Sequence, residues 1–157
     1  ASQQGLQVAY WNRRDKDAGY PFQPDPEQLA QDSDILIAIV AGGPDTQGLI
    51  SDRVLRALGP DGLFVNVARG SVIDQDALIQ ALDGEGGPGF ATLDVTDPEP
   101  LPEGHPLYTH PRVRLTPHVS SNHTLVRHRL LEKVRDDISR FARGEAPSDI
   151  VDPARGY

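Results

Sequence analysis

Short apolar runs rich in β-branched residues recur along the chain, each breaking into Gly, Pro, Asp or Asn, with helically spaced stretches between them. Runs at 6–11, 35–40, 63–68, 90–95 and 113–116 predict strands. The intervening pattern predicts four helices. A short one covers 25–31, with Pro26 in its first turn, and a second covers 51–58, capped by Ser51 and stopped at Gly59-Pro60. A third covers 74–82 with Asp74 as its cap, and the longest covers 121–143 and ends at Gly144. Apolar strands alternating with helices predict an α/β fold, a doubly wound parallel sheet of Rossmann type rather than a sandwich. No internal repeat or low-complexity tract interrupts this alternation.

Three of the strand ends carry chemistry. Asn66-Val67-Ala68-Arg69-Gly70-Ser71-Val72-Ile73-Asp74, Leu93-Asp94-Val95-Thr96-Asp97-Pro98-Glu99-Pro100 and Leu115-Thr116-Pro117-His118 each place one charged or titratable side chain at or just past the break. Those side chains are Arg69, Glu99 and His118. Strand ends are rigid and open onto the crevice beside a parallel sheet, where active sites of such folds collect. An arginine, a carboxylate and a histidine delivered there suggest a site that grips an anion and moves a proton. Taken singly, each has an ordinary structural reading: Arg69 as a surface ion pair, Glu99 as a solvated loop residue, His118 as a turn histidine.

Composition narrows the field of partners. At 157 residues with 38% hydrophobic content, the chain can bury one real core and is too short for two ordinary domains. A net charge of -8 argues against a nucleic-acid binder, which needs a basic stripe, and against anionic lipid surfaces. No apolar stretch approaches the roughly 18 residues that span a bilayer, and no signal-peptide pattern opens the chain, so the expected location is cytoplasmic. With no cysteine, thiolate catalysis and disulfides drop out. No metal is expected: His118, His123 and His128 are spaced by five residues, which does not align ligands on one helical face. The chain holds no methionine and begins Ala1-Ser2-Gln3-Gln4, which reads as a piece cut from something longer.

In this order and on these strands, the three segments resemble the D-isomer-specific 2-hydroxyacid dehydrogenase family. The segment from Asn66 to Asp74 is similar to that family's arginine signature, Leu93 to Pro100 to its Leu-Asp-Val…Glu-Pro segment, and Thr116 to His118 to its Thr-Pro-His. The end of the chain, from Phe141 to Glu145 and on through Arg155-Gly156-Tyr157, also resembles the family's. The resemblance implies reversible hydride transfer between a nicotinamide and C2 of a 2-keto or 2-hydroxy acid, with glyoxylate or hydroxypyruvate as the expected substrates. It implies that Arg69 grips the substrate carboxylate, His118 exchanges the proton and Glu99 orients the imidazole and stabilises its protonated form. It places Asp94 beside the nicotinamide carboxamide and extends the coenzyme contacts to Val40, Val67, Ala68, Arg69, His118, Ser120 and Ser121.

The same resemblance implies an order of domains. Residues 1–120 are the expected later part of a nucleotide-binding domain, and 121–157 a helix and tail that return to a preceding substrate domain. The parent is expected to be a homodimer, and this piece alone to be inactive. A non-catalytic coenzyme-binding scaffold is the alternative. The string Gly84-Glu85-Gly86-Gly87-Pro88-Gly89 satisfies a phosphate-loop pattern, yet it follows a helix and leads into a strand, the reverse of what such a loop needs.

Coenzyme choice is legible after the first run. Asn12 stands near where an acidic residue would bind a ribose 2′-hydroxyl, and Arg13 and Arg14 come next, which favours a 2′-phosphate. NADP(H) is therefore the preferred coenzyme, with NAD(H) possible and a solvated basic turn balanced by Asp15 and Asp17 as the plain alternative.

Overall fold

The computed structural model of the chain describes residues 4–152. Its centre is a parallel sheet of four strands in chain order: β1 (Ile35–Ala38), β2 (Leu63–Asn66), β3 (Phe90–Leu93) and β4 (Val113–Leu115). Ile35 pairs with Leu63, Leu63 with Phe90, and Ala91 with Val113, so the strand ends that carry the motifs lie side by side. The helices are α1 (Pro26–Gln31), α2 (Asp52–Leu58), α3 (Gln75–Asp83) and α4 (Thr124–Ala142). Short 3-10 turns occupy Pro44–Thr46, Gly70–Val72 and Pro106–Tyr108.

Local chemistry sets the helix ends. Asp25 and Asp74 each accept a hydrogen bond from a backbone amide in the first turn, Glu27 and Ala77 respectively. Ser51 occupies the cap position of α2 without a side-chain bond, and Gly59 closes that helix at φ 75°. His123 caps α4, its Nδ1 accepting from the Leu125 amide.

The helices α1 to α3 supply the core on one face of the sheet. Leu55, Leu58, Leu78 and Leu82 pack with Leu36, Phe64, Ala91 and Leu93, and most of these are fully buried. Each large apolar side chain buried in this way contributes about 1.5–3 kcal/mol. Burial alternates along β1, β2 and β3, so the opposite face is less covered, with Ile35 and Ile37 exposed on it. The long helix α4 buries no residue; Val126, Leu130, Val134, Ile138 and Phe141 form an uncovered stripe.

The strand expected over 6–11 is not formed. Only Tyr10 makes a bridge, to Phe22, with Tyr10 N–H donating to the Pro21 carbonyl and Gln23 N–H to that of Tyr10. An apolar run becomes a strand only where a neighbour offers free ladder groups, and among the described residues the sheet ends at β1. No helix among the described residues is long and apolar enough to cross a membrane.

Candidate active site

Arg69 is presented by a turn folded around a buried amide. Asn66, the last residue of β2, is fully buried; its Oδ1 accepts from the Ala68 amide and its Nδ2 donates to the Arg69 carbonyl, both at 3.0 Å. A buried polar side chain with both ends satisfied fixes the turn, and Arg69 is carried outward at its tip. Arg69 itself is exposed, with Nη1 donating to the Ala68 carbonyl at 2.7 Å. The loop after β1 lies along its stem: a Cβ on Gly42 would fall 2.6 Å from Arg69 Cγ. On the other side Gly70 presses against the loop after β3, and a Cβ there would sit 2.1 Å from the Thr96 carbonyl carbon and oxygen.

His118 and Glu99 meet across the ends of β4 and β3. Their side chains form a hydrogen bond of 2.7 Å between His118 Nδ1 and Glu99 Oε1. A carboxylate only accepts, so Nδ1 carries the proton and Nε2 is the ring nitrogen left to exchange one. Both side chains are about two-fifths exposed, at 42% and 41%, which leaves the pair open to a small ligand.

The turn that holds His118 is organised by Asp94, which is 4% exposed. Its carboxylate accepts from the Thr116 hydroxyl, from the Val119 amide at 2.9 Å and from the Ser120 amide at 2.8 Å. Its carbonyl accepts from the His118 amide at 2.9 Å. Burial alone would raise the Asp94 pKa; the bonds from Thr116, Ser120 and Val119 outweigh it and hold the carboxyl well below the ordinary range. These contacts keep His118 at φ 52°, a left-handed conformation that a non-glycine residue adopts only when its surroundings over-determine it.

Beside Arg69 and Glu99, which both line it, lies an open crevice of about 730 Å³, walled among others by Val40, Gly42, Val67 and Ala68. Its apolar and glycine-rich walls at the carboxyl ends of β1 and β2 suit a flat heteroaromatic ring, and so fit a nicotinamide. The basic turn after Tyr10 is not part of the crevice lining. Asn12 Oδ1 accepts from the Arg13 amide at 2.8 Å, and the Arg13 guanidinium pairs with Asp45 in the turn after β1. Arg14 is exposed, as are Ser120 and Ser121 beside His118. His123 caps α4 and His128 pairs with Glu132 at 3.4 Å; among the described residues no group of His, Asp or Glu is disposed to hold a metal. The glycine string 84–89 connects α3 to β3.

Sequence pattern points to Arg69, Glu99 and His118 and passes over the residues that hold their turns, Asn66, Gly70 and Thr116. One of these does carry a readable signal: a polar residue ending an otherwise apolar strand, as Asn66 does, must find partners inside.

Comparison with known proteins agrees with this geometry. The pattern of the family described as D-isomer specific 2-hydroxyacid dehydrogenase, NAD binding domain, matches residues 1–120. A glyoxylate/hydroxypyruvate reductase A of Serratia proteamaculans is 33% identical over 157 residues, covering 98% of this chain and 49% of the relative. Among solved structures, a D-isomer specific 2-hydroxyacid dehydrogenase of Xanthobacter autotrophicus Py2 in complex with NADPH and MES superposes with a TM-score of 0.86 at 34% identity, covering 99% of this chain and 64% of that one. An NADPH-dependent glyoxylate/hydroxypyruvate reductase of Sinorhizobium meliloti in complex with NADP and malonate gives 0.81 at 37% identity, with 92% and 46% covered. The chain spans about half the length of the relatives it matches. A parallel sheet whose strand ends carry Arg69, Glu99 and His118, matched over most of its length by this pattern, places the chain in the D-isomer specific 2-hydroxyacid dehydrogenase family, within its NAD binding domain.

Proposed function

We propose that these residues form the coenzyme side and the acid–base site of a reductase that acts on short 2-keto acids of the glyoxylate and hydroxypyruvate type and prefers NADPH. The observation that carries this reading is the 2.7 Å bond from His118 Nδ1 to Glu99, which itself lines the crevice together with Arg69. A bound nicotinamide would supply the hydride for C2 of the substrate. Arg69 would bind the substrate carboxylate with two parallel N–H donors, which a planar guanidinium can do and an ammonium cannot. His118 Nε2 would hand a proton to the oxygen that becomes the hydroxyl, and in the reverse direction take it back. Glu99 would hold the ring and favour the imidazolium that has a proton to give.

The coenzyme contacts divide in the same way. Val40, Val67 and Ala68 would flank the ring, with Asp94, Ser120 and Ser121 toward its carboxamide end. Asn12, Arg13 and Arg14 would meet the ribose and its 2′-phosphate, a reading supported by relatives and neighbours solved with NADP or NADPH. Residues 1–120 serve here as part of the nucleotide-binding domain. The segment from 121 leads away from it, and the uncovered apolar stripe of α4 suits packing against a further domain. Turnover would therefore belong to the longer parent, with little expected from the 157 residues alone.

The test is a steady-state assay of the full-length protein with glyoxylate and hydroxypyruvate, each with NADPH and NADH, followed by coenzyme absorbance. Reduction faster with NADPH supports the reading. Tight coenzyme binding with no turnover on any 2-keto acid would point instead to a binding scaffold.

A further inference from the structure

We propose that Gln75 is a positioning residue for Glu99, clasping the loop after β3 so that the substrate anchor and the acid–base pair are held as one body. The inference rests on the function proposed above and concerns how that site is kept in register.

Glu99 sits on an exposed loop. Residues 97 to 100 all face solvent, and the nearest buried positions are Val95 on one side and Leu101 on the other. Such a segment would wander by more than a hydrogen bond tolerates unless something tied its middle. Gln75 provides that tie. Its Oε1 accepts from the Asp97 amide at 3.1 Å, and its Nε2 donates to the Asp97 carbonyl. A side-chain amide thereby pairs with both backbone groups of one residue, as a neighbouring strand would. The Thr96 hydroxyl donates to the Pro98 carbonyl at 3.0 Å and stiffens the same loop from within.

The other end of the clasp is rigid. Gln75 opens α3, directly after the Asp74 cap. The chain before it is pinned to residues 48 and 50, with Gly48 N–H donating to the Ser71 carbonyl at 2.9 Å and Ile50 N–H to that of Val72 at 3.0 Å. That stretch starts at Arg69, and Gly70 makes the close approach to Thr96 and Asp97 that brings Gln75 within reach. The Arg69 turn and the Glu99 loop are thus fastened at two points. Gln75 does not line the crevice and lies instead with Asp74 and His105 in a separate depression, so it acts through Glu99.

The experiment uses the full-length protein with Gln75→Ala, Gln75→Glu, Glu99→Gln and the double variant Gln75→Ala/Glu99→Gln. The spectroscopic readout is the downfield proton resonance of the His118 Nδ1–H engaged with a carboxylate, assigned by its absence from His118→Ala. Gln75→Ala should lose or broaden that resonance and lower kcat by about threefold, less than the loss of the Glu99 charge itself, while the KM for coenzyme stays within about twofold. Gln75→Glu keeps the acceptor for the Asp97 amide and should fall between. In the double variant kcat should drop no further than in Glu99→Gln alone, because both act on one interaction. An intact resonance in folded Gln75→Ala, or losses that multiply in the double variant, would overturn the proposal. If no 2-keto acid is turned over, the resonance still decides the role of Gln75, so failure of the functional reading and failure of the clasp remain separate results.

Discussion

The two ends of the crevice are built differently. Around Arg69 and His118 the chain is tied by buried polar groups, Asn66 fully and Asp94 almost fully enclosed, each with every polar atom engaged. Around Arg13 the corresponding ties are a bond to its neighbour Asn12 and an ion pair with Asp45 whose side chains are 41% and 63% exposed. Enclosed hydrogen bonds to charged groups are worth about 1.5–3 kcal/mol, while exposed ion pairs are worth about 1 or less. On the proposed function, the groups that would react are held by the interior and the one that would select the coenzyme by the surface. Coenzyme preference is therefore the property that a few surface substitutions can move.

Substitutions in the full-length protein can break or sharpen that contrast. The largest effect belongs to His118→Ala, which should lower turnover by ~10²-fold or more with coenzyme binding retained, measured by kcat and by coenzyme titration. Unchanged turnover would remove His118 from the chemistry. Next comes Arg69→Ala, which should raise the KM for the keto acid by an amount corresponding to about 1.5–3 kcal/mol. Arg69→Lys should recover little of it, for want of a planar fork. A lysine variant that restores most of the affinity would show a simple charge effect.

Asp94→Asn probes the buried end directly and should destabilise the domain by about 1–3 kcal/mol, because amides facing Asp94 would meet an NH2 group. The pH dependence has a definite sign. Hydrogen bonds hold the Asp94 carboxyl below its unfolded value, so its stabilisation is complete above the ordinary carboxylate range, near pH 4, and is lost as pH falls below it. Melting temperatures measured down into that acid range should converge for wild type and variant; a constant gap would show that the charge is immaterial. Glu99→Gln should cut the rate of reduction by about fivefold, in keeping with a half-exposed pair. An unchanged rate would separate Glu99 from His118.

The smallest effect is expected at the surface end. Arg13→Ala should weaken NADPH by about 1 kcal/mol and leave NADH nearly unchanged, since only the former brings a 2′-phosphate and the site is well solvated. Equal losses with both coenzymes would make Arg13 a structural residue, paired with Asp45.

Legibility in the chain divides along the same line. The runs that form β1 to β4 and the helices between them are legible because each pairs with a sequential neighbour, and Asp25, Asp74, Gly59 and Gly144 mark ends by local chemistry. Arg69, Glu99 and His118 stand out in the sequence because each follows the end of a strand. The extended run at 6–11 misleads, since pattern records the inclination to pair and not the presence of a partner. Gln75 with Asp97 and Arg13 with Asp45 are invisible for another reason: each joins groups 22 and 32 residues apart whose side chains are common on any surface. Only the fold brings them together.

The left-handed backbone at His118 has an evolutionary consequence. Glycine would occupy φ 52° with less strain, so the local conformation alone favours replacing the histidine, and the proton-donor role proposed for it is what would resist. Any lineage of this fold released from turnover should lose the imidazole at this position early, drifting to Gly while Asn66 and Asp94, which hold the architecture, persist. Position 118 would then serve as a marker of whether a given descendant is still under selection for chemistry.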